Sequence, residues 1–254
     1  MNNPPKSRIR QSFERAASTY DGAATIQRSI CRQLAASLPP TLKPDCVLDA
    51  GCGTGFALDL LRQRFPAARL IALDFAPAML SRISVPACRI GGDLEHLPLT
   101  AASVDLYWSS LAVQWCALPV VLGEARRVLR SSGLLALASL GPQTFHELRR
   151  AFDGVDAHRH TLTFHGVDEI RHLALAARWR ALKVENSPKT AYYRDFKSLL
   201  KAVKALGANQ LGSGRRTALL SRTAFSRAEA AYESQRTADG LPLTYDLVLL
   251  TAQA

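Results

Sequence analysis

Apolar residues recur at steps of three and four over residues 6–38, and this spacing predicts two helices. Asp21-Gly22 separates the predicted helices, and Pro39-Pro40 ends the second. The first apolar stripe consists of Ile9, Phe13, Ala16 and Tyr20, and the second of Ile26, Ile30, Leu34 and Leu38.

From residue 46 onwards, short apolar runs alternate with segments of helical spacing. The runs predict strands near 46–49, 69–73, 87–90, 103–108 and 133–139. The segments between them predict helices near 55–64, 77–83 and 118–130. Such alternation with short connections predicts an α/β protein, in which a parallel sheet carries helices on both faces.

The pattern changes after Gly141. Helical spacing predicts helices over 142–152, 167–176, 195–206 and 222–235, with a strand near 178–186. The last apolar run, Tyr245 to Thr251, is rich in β-forming residues and is predicted to join a sheet at its edge. We expect one domain, with a helical elaboration between its last strands.

The composition favours a folded, soluble protein of the cytoplasm. The chain has 254 residues, of which 48% are hydrophobic, and no apolar run approaches the roughly 20 residues of a membrane-spanning helix. Residues 1–10 are polar and contain no signal-peptide hydrophobic region. The five cysteines are scattered without a C-x-x-C pair, as expected in a reducing compartment.

A net charge of +11 favours an acidic partner, which leaves nucleic acid, anionic lipid and an acidic protein open. Nucleic acid is disfavoured because no basic platform interleaved with aromatic residues is present. A membrane partner is not predicted.

The segment V-L-D-A-G-C-G-T-G, residues 47–55, places three glycines between a predicted strand and a predicted helix. The spacing G-x-G-x-G differs from the dinucleotide fingerprint, and no Gly-Lys-Ser/Thr is present to make a phosphate-binding P-loop. The segment resembles motif I of S-adenosylmethionine-dependent methyltransferases. Gly51, Gly53 and Gly55 would let the backbone approach the methionine part of that cofactor.

Three acidic residues at successive strand tips support the same cofactor. Asp49 is predicted to lie near the ammonium group, Asp74 to accept from the ribose hydroxyls, and Asp93 to accept from the adenine amino group. Each acid alone also fits a helix cap or a turn. Together they predict S-adenosylmethionine.

Longer segments resemble one family, the malonyl-[acyl-carrier protein] O-methyltransferases of biotin synthesis. The matching stretches are R-A-A-S-T-Y-D (15–21), G-D-L-E-H-L-P-L (92–99), L-A-V-Q-W-C (111–116) and L-P-L-T-Y-D-L (241–247). The resemblance runs from Phe13 to the C-terminus. It departs from the family at Ser110, where Asn is common, and at 130–133, where Pro-Gly-Gly is usual.

The resemblance implies a Rossmann-like class I methyltransferase fold with a mostly parallel seven-stranded sheet. Residues 1–40 would form a helical lid, 41–141 the cofactor-binding half, and 142–254 the half that meets substrate and carrier protein. The implied reaction methylates the free carboxylate of a malonyl group on an acyl-carrier protein. That carboxylate is already ionised at neutral pH, so no general base is predicted.

Several further residues are assigned by the resemblance. Tyr20, Gln114 and Trp115 are predicted to position the substrate, and Leu94 and Ser109 to join the cofactor site. An Arg or Lys should recognise the malonyl carboxylate. The sequence leaves Arg126, Arg127 and Arg149 as alternatives for that role.

Docking of an acidic carrier protein is predicted on a helix over 195–206, whose exposed face would carry lysines. The predicted docking residues are Lys197, Lys201, Lys204, Arg215, Arg216 and Arg222. An ordinary solvated helix face is the alternative. His158, His160 and His165 lie close together with Asp153 and Asp156, but methyl transfer needs no metal and none is predicted.

Other functions remain open from the sequence. A methyltransferase of the same fold could act on another small carboxylate or on nucleic acid. A third class is represented by relatives of this fold that resemble assembly factors of respiratory complex I and need not methylate anything. Fold similarity alone does not separate these functions.

Overall fold

The computed structural model describes residues 4–156, 158–205 and 221–254. The helices are α1 Lys6–Ala16, α2 Tyr20–Ala23, α3 Thr25–Ala36, α4 Phe56–Arg64, α5 Pro77–Leu80, α6 Leu118–Val128, α7 His146–Phe152, α8 Val167–Ala176, α9 Phe196–Ala205 and α10 Arg222–Glu233. The strands are β1 Cys46–Ala50, β2 Arg69–Asp74, β3 Cys88–Gly91, β4 Val104–Ser110, β5 Leu129–Leu140, β6 Arg180–Asn186, β7 Lys189–Tyr193, β8 Leu241–Tyr245 and β9 Leu247–Gln253. None of these helices is both long enough and apolar enough to cross a membrane.

A seven-stranded sheet of order β3-β2-β1-β4-β5-β9-β6 organises the molecule. Strands β1 to β5 pair in parallel, whereas β9 runs antiparallel to both β5 and β6. The predicted mostly parallel seven-stranded sheet is therefore confirmed. Because parallel strands end at one edge, the loops after β1, β2, β3 and β4 meet at the carboxyl edge of the sheet.

Helices bury both faces of this sheet. Val47 packs in one layer with Leu106 and Trp108, whereas its neighbour Leu48 packs in the opposite layer with Tyr107. Successive residues of a strand point to opposite faces, so a strand covered on both sides is apolar at nearly every position. This explains why short apolar runs, rather than alternating ones, marked the central strands.

A third apolar cluster joins the end of β5 to the elements of the last third of the chain. It links α1, α7, α9, α10 and β8, and its buried members include Ile9, Leu140, Phe145, Leu148, Phe196, Tyr232 and Leu243. The helical elaboration is thus packed on the carboxyl edge of the sheet, where it can wall a site.

Two predictions about the chain ends are wrong in detail. The N-terminal segment forms three helices rather than two, because Tyr20–Ala23 makes a separate short helix. The last apolar run does not add to a sheet edge. β8 ends at Tyr245, and β9 inserts between β5 and β6, where residues 247–250 are buried.

A small two-stranded sheet was missed altogether. β7 pairs antiparallel with β8, with Lys189 opposite Tyr245 and Tyr193 opposite Leu241. Pro242 within β8 argues against a strand in a sequence-based prediction, since proline is confined to strands with a free edge. A two-stranded ribbon has such an edge.

Candidate active site

The glycine loop after β1 is anchored on the neighbouring strand. The backbone N–H groups of Gly51 and Cys52 donate to the carbonyl oxygen of Leu73 at 2.7 and 3.0 Å. Gly51 has φ +77°, and a Cβ added there would lie 2.2 Å from the Cβ of Ala112. Only glycine satisfies this position, so the motif reflects both conformation and space.

Gly53 faces a cavity instead of a neighbouring side chain. The nearest atom to a Cβ added at Gly53 would be Cε1 of Tyr20, at 4.0 Å. We call this space the glycine-loop cavity. Its walls come from the loops after β1 to β4 and from α1, and include Ile9, Phe13, Tyr20, Gly51, Gly53, Asp74, Phe75, Met79, Asp93, Leu94, Ser110, Leu111, Ala112 and Trp115.

Asp74 both accepts hydrogen bonds from the backbone near the glycine loop and lines the glycine-loop cavity. Its Oδ2 accepts from the N–H of Gly53 at 3.0 Å, and its Oδ1 accepts from the N–H of Ala76 at 2.9 Å. Burial raises the pKa of this carboxyl, while the backbone N–H donors oppose that rise. The carboxylate has further lone pairs for a ligand in the cavity.

Asp49 is buried without a matching partner. It is 1% exposed, and its Oδ2 has no hydrogen-bond partner among the described residues. Burial raises its pKa to about 8, and the nearby charge of Asp74 adds to the rise. A buried carboxylate in this state favours a cationic ligand.

A second space, the Asp49 cavity, lies beside the glycine loop. Its walls include Tyr20, Asp21, Gln27, Arg28, Cys31, Asp49, Gly51, Gly53, Thr54 and Ser110. It therefore shares Tyr20, Gly51, Gly53 and Ser110 with the glycine-loop cavity. A single ligand can extend through both.

Arg28 on α3 lines the Asp49 cavity, and the sequence did not reveal it as a candidate for the site. Its Nη2 lies 3.7 Å from Oδ1 of Asp21, while its buried Nε has no partner among the described residues. With Asp49 it presents one cation and one anion to the same cavity, the pairing that an amino acid zwitterion requires. The spacing of apolar residues in α3 does not predict that Arg28 lies near Asp49, because only the tertiary fold brings α3 to the glycine loop.

Asp93 is tied to the N-terminal helix. Lys6 Nζ forms an ion pair with Asp93 Oδ2 and another with Glu95 Oε2, the latter at 2.8 Å. Asp93 Oδ1 accepts from the N–H of Glu95 at 3.0 Å. We call the contact of Lys6 with the two carboxylates the Lys6 clasp, and it closes α1 over the glycine-loop cavity.

Three other predicted cofactor residues differ in their placement. Leu94 lines the glycine-loop cavity. Ser109 is fully buried and is not among the cavity-lining residues, whereas its neighbour Ser110 lines both cavities. Gly55 precedes α4 as its N-cap, has φ +90° and faces Ile83, so this glycine serves the turn rather than the cavity.

Tyr20, Gln114 and Trp115 lie together around a third space, which we call the inner cavity. Phe13, Tyr20, Leu111 and Trp115 are shared with the glycine-loop cavity, so the two spaces adjoin. The remaining wall is largely apolar and includes Leu140, Phe145, Leu162 and Phe164. Gln114 donates from Nε2 to the carbonyl of Leu111 at 2.7 Å, and its buried Oε1 is unpartnered within the described residues.

The structure separates the three alternative arginines. Arg126 donates to the carbonyl of Arg178, and the carbonyl of Arg127 accepts from Ala102, contacts near the starts of β6 and β4. Both arginines are therefore away from the carboxyl edge. Arg149 lies on that edge and contacts Thr161, a residue of the inner cavity, at 3.5 Å.

The predicted docking lysines lie on the exposed side of α9. Lys197, Lys201 and Lys204 are exposed, while Leu199 and Val203 are buried beneath them, as the helical spacing predicts. Arg222 at the start of α10 is also exposed. Arg215 and Arg216 lie outside the described residues.

Of the three histidines His158, His160 and His165, His160 contacts residues of the neighbouring segment. His160 Nε2 lies 2.9 Å from Asp156 Oδ1, and its ring stacks on Phe152 at 3.7 Å. Among residues 4–156, 158–205 and 221–254, no group of three or more His, Cys, Asp or Glu side chains is arranged to hold a metal.

The described residues fit S-adenosylmethionine. The unpartnered Asp49 oxygen and the Arg28 Nε suit its amino acid group, the open face of Gly53 admits it, and Asp74 and Asp93 border the rest of the cavity. No phosphate site is needed, in agreement with the loop spacing.

Comparison with known proteins gives the class and then the family. The Methyltransferase domain model matches residues 48–137. The fold is shared with a SAM dependent methyltransferase from Archaeoglobus fulgidus (15% identity, TM-score 0.54, 90% of this chain and 94% of that one). It is also shared with a geranyl diphosphate methyltransferase in complex with SAM (17% identity, TM-score 0.53, 89% and 84%). The chain has the class I fold of S-adenosylmethionine-dependent methyltransferases.

Two curated relatives identify the family within this class. The malonyl-[acyl-carrier protein] O-methyltransferase of Dechloromonas aromatica (strain RCB) is 61% identical over 250 residues, which cover 98% of this chain and 95% of that protein. The biotin biosynthesis bifunctional protein BioHC of Cellvibrio japonicus (strain Ueda107) is 37% identical over 96% of this chain and 49% of its own. The chain belongs to the family of malonyl-[acyl-carrier protein] O-methyltransferases.

Proposed function

We propose that this enzyme transfers a methyl group from S-adenosylmethionine to the free carboxylate of a malonyl thioester on an acyl-carrier protein, a step of biotin synthesis. The observation that carries the proposal is 61% identity along nearly the whole chain to a relative of that activity. The glycine-loop cavity and the inner cavity support it because they adjoin and share lining residues. Methyl transfer requires the cofactor's methyl group and the acceptor carboxylate to come into contact, and adjoining cavities allow this.

The cofactor would be held at both ends by side chains of this protein. Asp49 accepts from the ammonium group and Arg28 Nε donates to the carboxylate of the amino acid part. Asp74 accepts from the ribose hydroxyls, and Asp93 from the adenine amino group. Residues 1–40 act as a lid, since Lys6 fastens α1 to Asp93 and Glu95.

The chemistry asks for positioning rather than for proton transfer. The bound cofactor supplies an electrophilic methyl group on a positively charged sulfur. Tyr20 and Trp115, which border both cavities, would set the acceptor carboxylate in line with that methyl group. The apolar walls exclude water, so attraction between the carboxylate and the positive charge is weakly screened.

Arg149 is our candidate for recognition of the malonyl carboxylate. Its guanidinium donates to the carbonyl of Pro142 at 2.8 Å and lies against Thr161 at the wall of the inner cavity. Burial lowers the pKa of Arg149, yet arginine stays charged at neutral pH. Tyr20 and Gln114 offer the further polar groups of that cavity.

The acidic carrier protein would dock on the exposed face of α9 formed by Lys197, Lys201 and Lys204, with Arg222, Arg215 and Arg216 as further predicted contacts. Helix α9 contacts α2, which carries Tyr20, so this face lies beside the site. We further propose that the protein acts in the cytoplasm, in keeping with five free cysteines.

Incubation of the enzyme with S-adenosylmethionine and a malonyl thioester of N-acetylcysteamine tests this function by mass spectrometry of the methyl ester. An acetyl thioester, which has no second carboxylate, should give no product. A succinyl thioester should react more slowly, because its additional methylene group raises the activation free energy by about 1–3 kcal/mol in a fitted pocket. Absence of product from the malonyl thioester, with the cofactor shown to bind, would leave another small carboxylate or nucleic acid as the acceptor to be sought.

A further inference from the structure

An open groove of about 630 Å³ lies beside the inner cavity and takes no part in the roles assigned above to the cofactor. We call it the outer groove. It is lined by α7 and by the segment that precedes α8, with Pro142, Arg149, Arg150, Phe152, Asp153, Asp156, His158, Arg159, His160, Thr161, Leu162, Thr163 and Phe164 as its walls.

The outer groove leads to the reaction centre. Thr161, Leu162 and Phe164 belong both to the outer groove and to the inner cavity, which in turn shares Tyr20 and Trp115 with the glycine-loop cavity. A long, thin molecule can therefore lie in the groove with one end among the reacting groups and the other in solvent.

The charges of the groove favour an anion at its outer part. Arg150 is exposed in the last turn of α7, and Arg159 is half-buried and donates to Thr163 Oγ1 at 2.6 Å. Of the two acidic residues, Asp156 is committed to its own segment, since its Oδ1 accepts from the N–H of His158 and faces His160 Nε2, both at 2.9 Å. Asp153, the other acidic residue of the groove, is exposed.

We propose that the outer groove binds the phosphopantetheine-type arm of the thioester substrate, with Arg150 and Arg159 contacting its phosphate. The inference rests on the proposed function, in which the acyl group arrives on a carrier. Such an arm is a slender chain of amide and apolar segments with a phosphodiester at one end and the thioester at the other. The groove has the matching order, with cations at its outer part and buried Leu162 and Phe164 where it joins the inner cavity.

The test compares malonyl-pantetheine with malonyl-4′-phosphopantetheine, which differ only in the phosphate. For the unaltered enzyme we expect kcat/KM to be about tenfold higher with the phosphate, the factor that one charge-assisted contact supplies. Arg150→Glu with Arg159→Glu should abolish this preference and leave kcat/KM for malonyl-pantetheine within about twofold. Arg150→Lys with Arg159→Lys should keep most of the preference, because the charge remains.

Lys43→Glu is the control for charge alone, since Lys43 is exposed in the segment before β1 and lies away from the carboxyl edge. Its phosphate preference should equal that of the unaltered enzyme. Equal rates of the unaltered enzyme on the two thioesters would overturn the arm site while leaving the proposed function intact. An equal loss on both thioesters in the Glu variant, with unchanged thermal unfolding, would overturn it too. If neither thioester is methylated, the proposed function and the arm site fail together.

Discussion

At the scale of single residues, Asp49 and Asp74 end adjacent strands and share one buried environment. Burial raises the pKa of Asp49 to about 8, and the charge of Asp74 adds to that rise. We therefore predict that Asp49 is protonated at neutral pH in the protein without cofactor. In the unfolded chain this carboxyl ionises near pH 4, so the folded protein binds more protons between about pH 4 and 8.

A pH dependence of stability follows from this difference. Because the folded state binds the extra proton, the contribution of Asp49 should lower the free energy of unfolding as pH rises from about 4 to 8. Denaturant titrations of the cofactor-free protein and of Asp49→Asn should diverge with pH in that direction. Parallel curves for the two proteins would contradict the raised pKa.

A second prediction concerns proton release on cofactor binding. The positive charges of the cofactor favour the ionised carboxylate, so binding near pH 7 should expel the proton of Asp49. Calorimetry in buffers of different ionisation enthalpy measures the number of protons released. The unaltered protein should show a larger release than Asp49→Asn, and identical values would exclude Asp49 as its source.

Asp74 supports a third prediction. Its carboxylate binds the backbone of Gly53 and Ala76, and it borders the cavity. Asp74→Ala should weaken S-adenosylmethionine binding by roughly 1.5–3 kcal/mol, the scale for hydrogen bonds to a charged group. Titration calorimetry measures this loss, and circular dichroism checks that the variant is folded. An unaltered affinity in the folded variant would remove Asp74 from the cofactor site.

Site residues close in sequence to a strand end could be predicted, and those on distant helices could not. Asp49 and Asp74 lie at the carboxyl ends of β1 and β2, and Leu94 lies shortly after β3, so locating the strand ends also located these residues. Arg28 and Lys6 are on helices that reach the site only through tertiary packing. Ser109 was predicted to join the cofactor site, whereas its neighbour Ser110 lines both cavities, because successive residues of a strand point to opposite faces.

At the scale of elements, α1 is held over the glycine-loop cavity by the Lys6 clasp. Lys6→Ala should leave Asp93 and Glu95 facing each other without a cation, which favours an open α1. We expect S-adenosylmethionine affinity to fall by about 0.5–2 kcal/mol, in the range of a half-exposed ion pair plus lost closure. The change should be larger at low salt.

The control for this prediction is Arg10→Ala, which removes an exposed ion pair with Glu14 on the same helix. Its affinity should remain that of the unaltered protein. Similar losses in both variants would assign the effect to the stability of α1 rather than to the clasp.

Elements with a strong local pattern were predicted well, and those that depend on distant pairing were not. The central strands and α9 followed from apolar runs and helical spacing. β7 and β8 are five residues each, and neither has a partner close in sequence, since Lys189 pairs with Tyr245. The place of β9 between β5 and β6 is likewise a matter of sheet order, which apolar content alone does not encode.

At the scale of the whole molecule, the net charge is +11, and the exposed face of α9 carries three of the positively charged residues. Lys201→Glu with Lys204→Glu should slow methylation of the carrier-bound malonyl group, most strongly at low ionic strength, because charge complementarity mainly raises association rates. Methylation of a small malonyl thioester should change little. Steady-state rates on the two substrates give the comparison.

A matched control is Lys43→Glu with Lys183→Glu, which reverses two exposed lysines outside α9. It should retain the rate on the carrier-bound substrate. If the control slows as much as the α9 variant, net charge and not this face governs docking.

Tyr20 stands at the junction of the glycine-loop, Asp49 and inner cavities, on a short helix between α1 and α3. An acceptor that occupies the inner cavity therefore rests on the same side chain that walls in the cofactor. We therefore expect the cofactor to enter before the acceptor and the demethylated by-product to leave after the ester, which product-inhibition kinetics would show. Such an order would make a slow departure of the ester delay every following turnover, and random-order kinetics would contradict it.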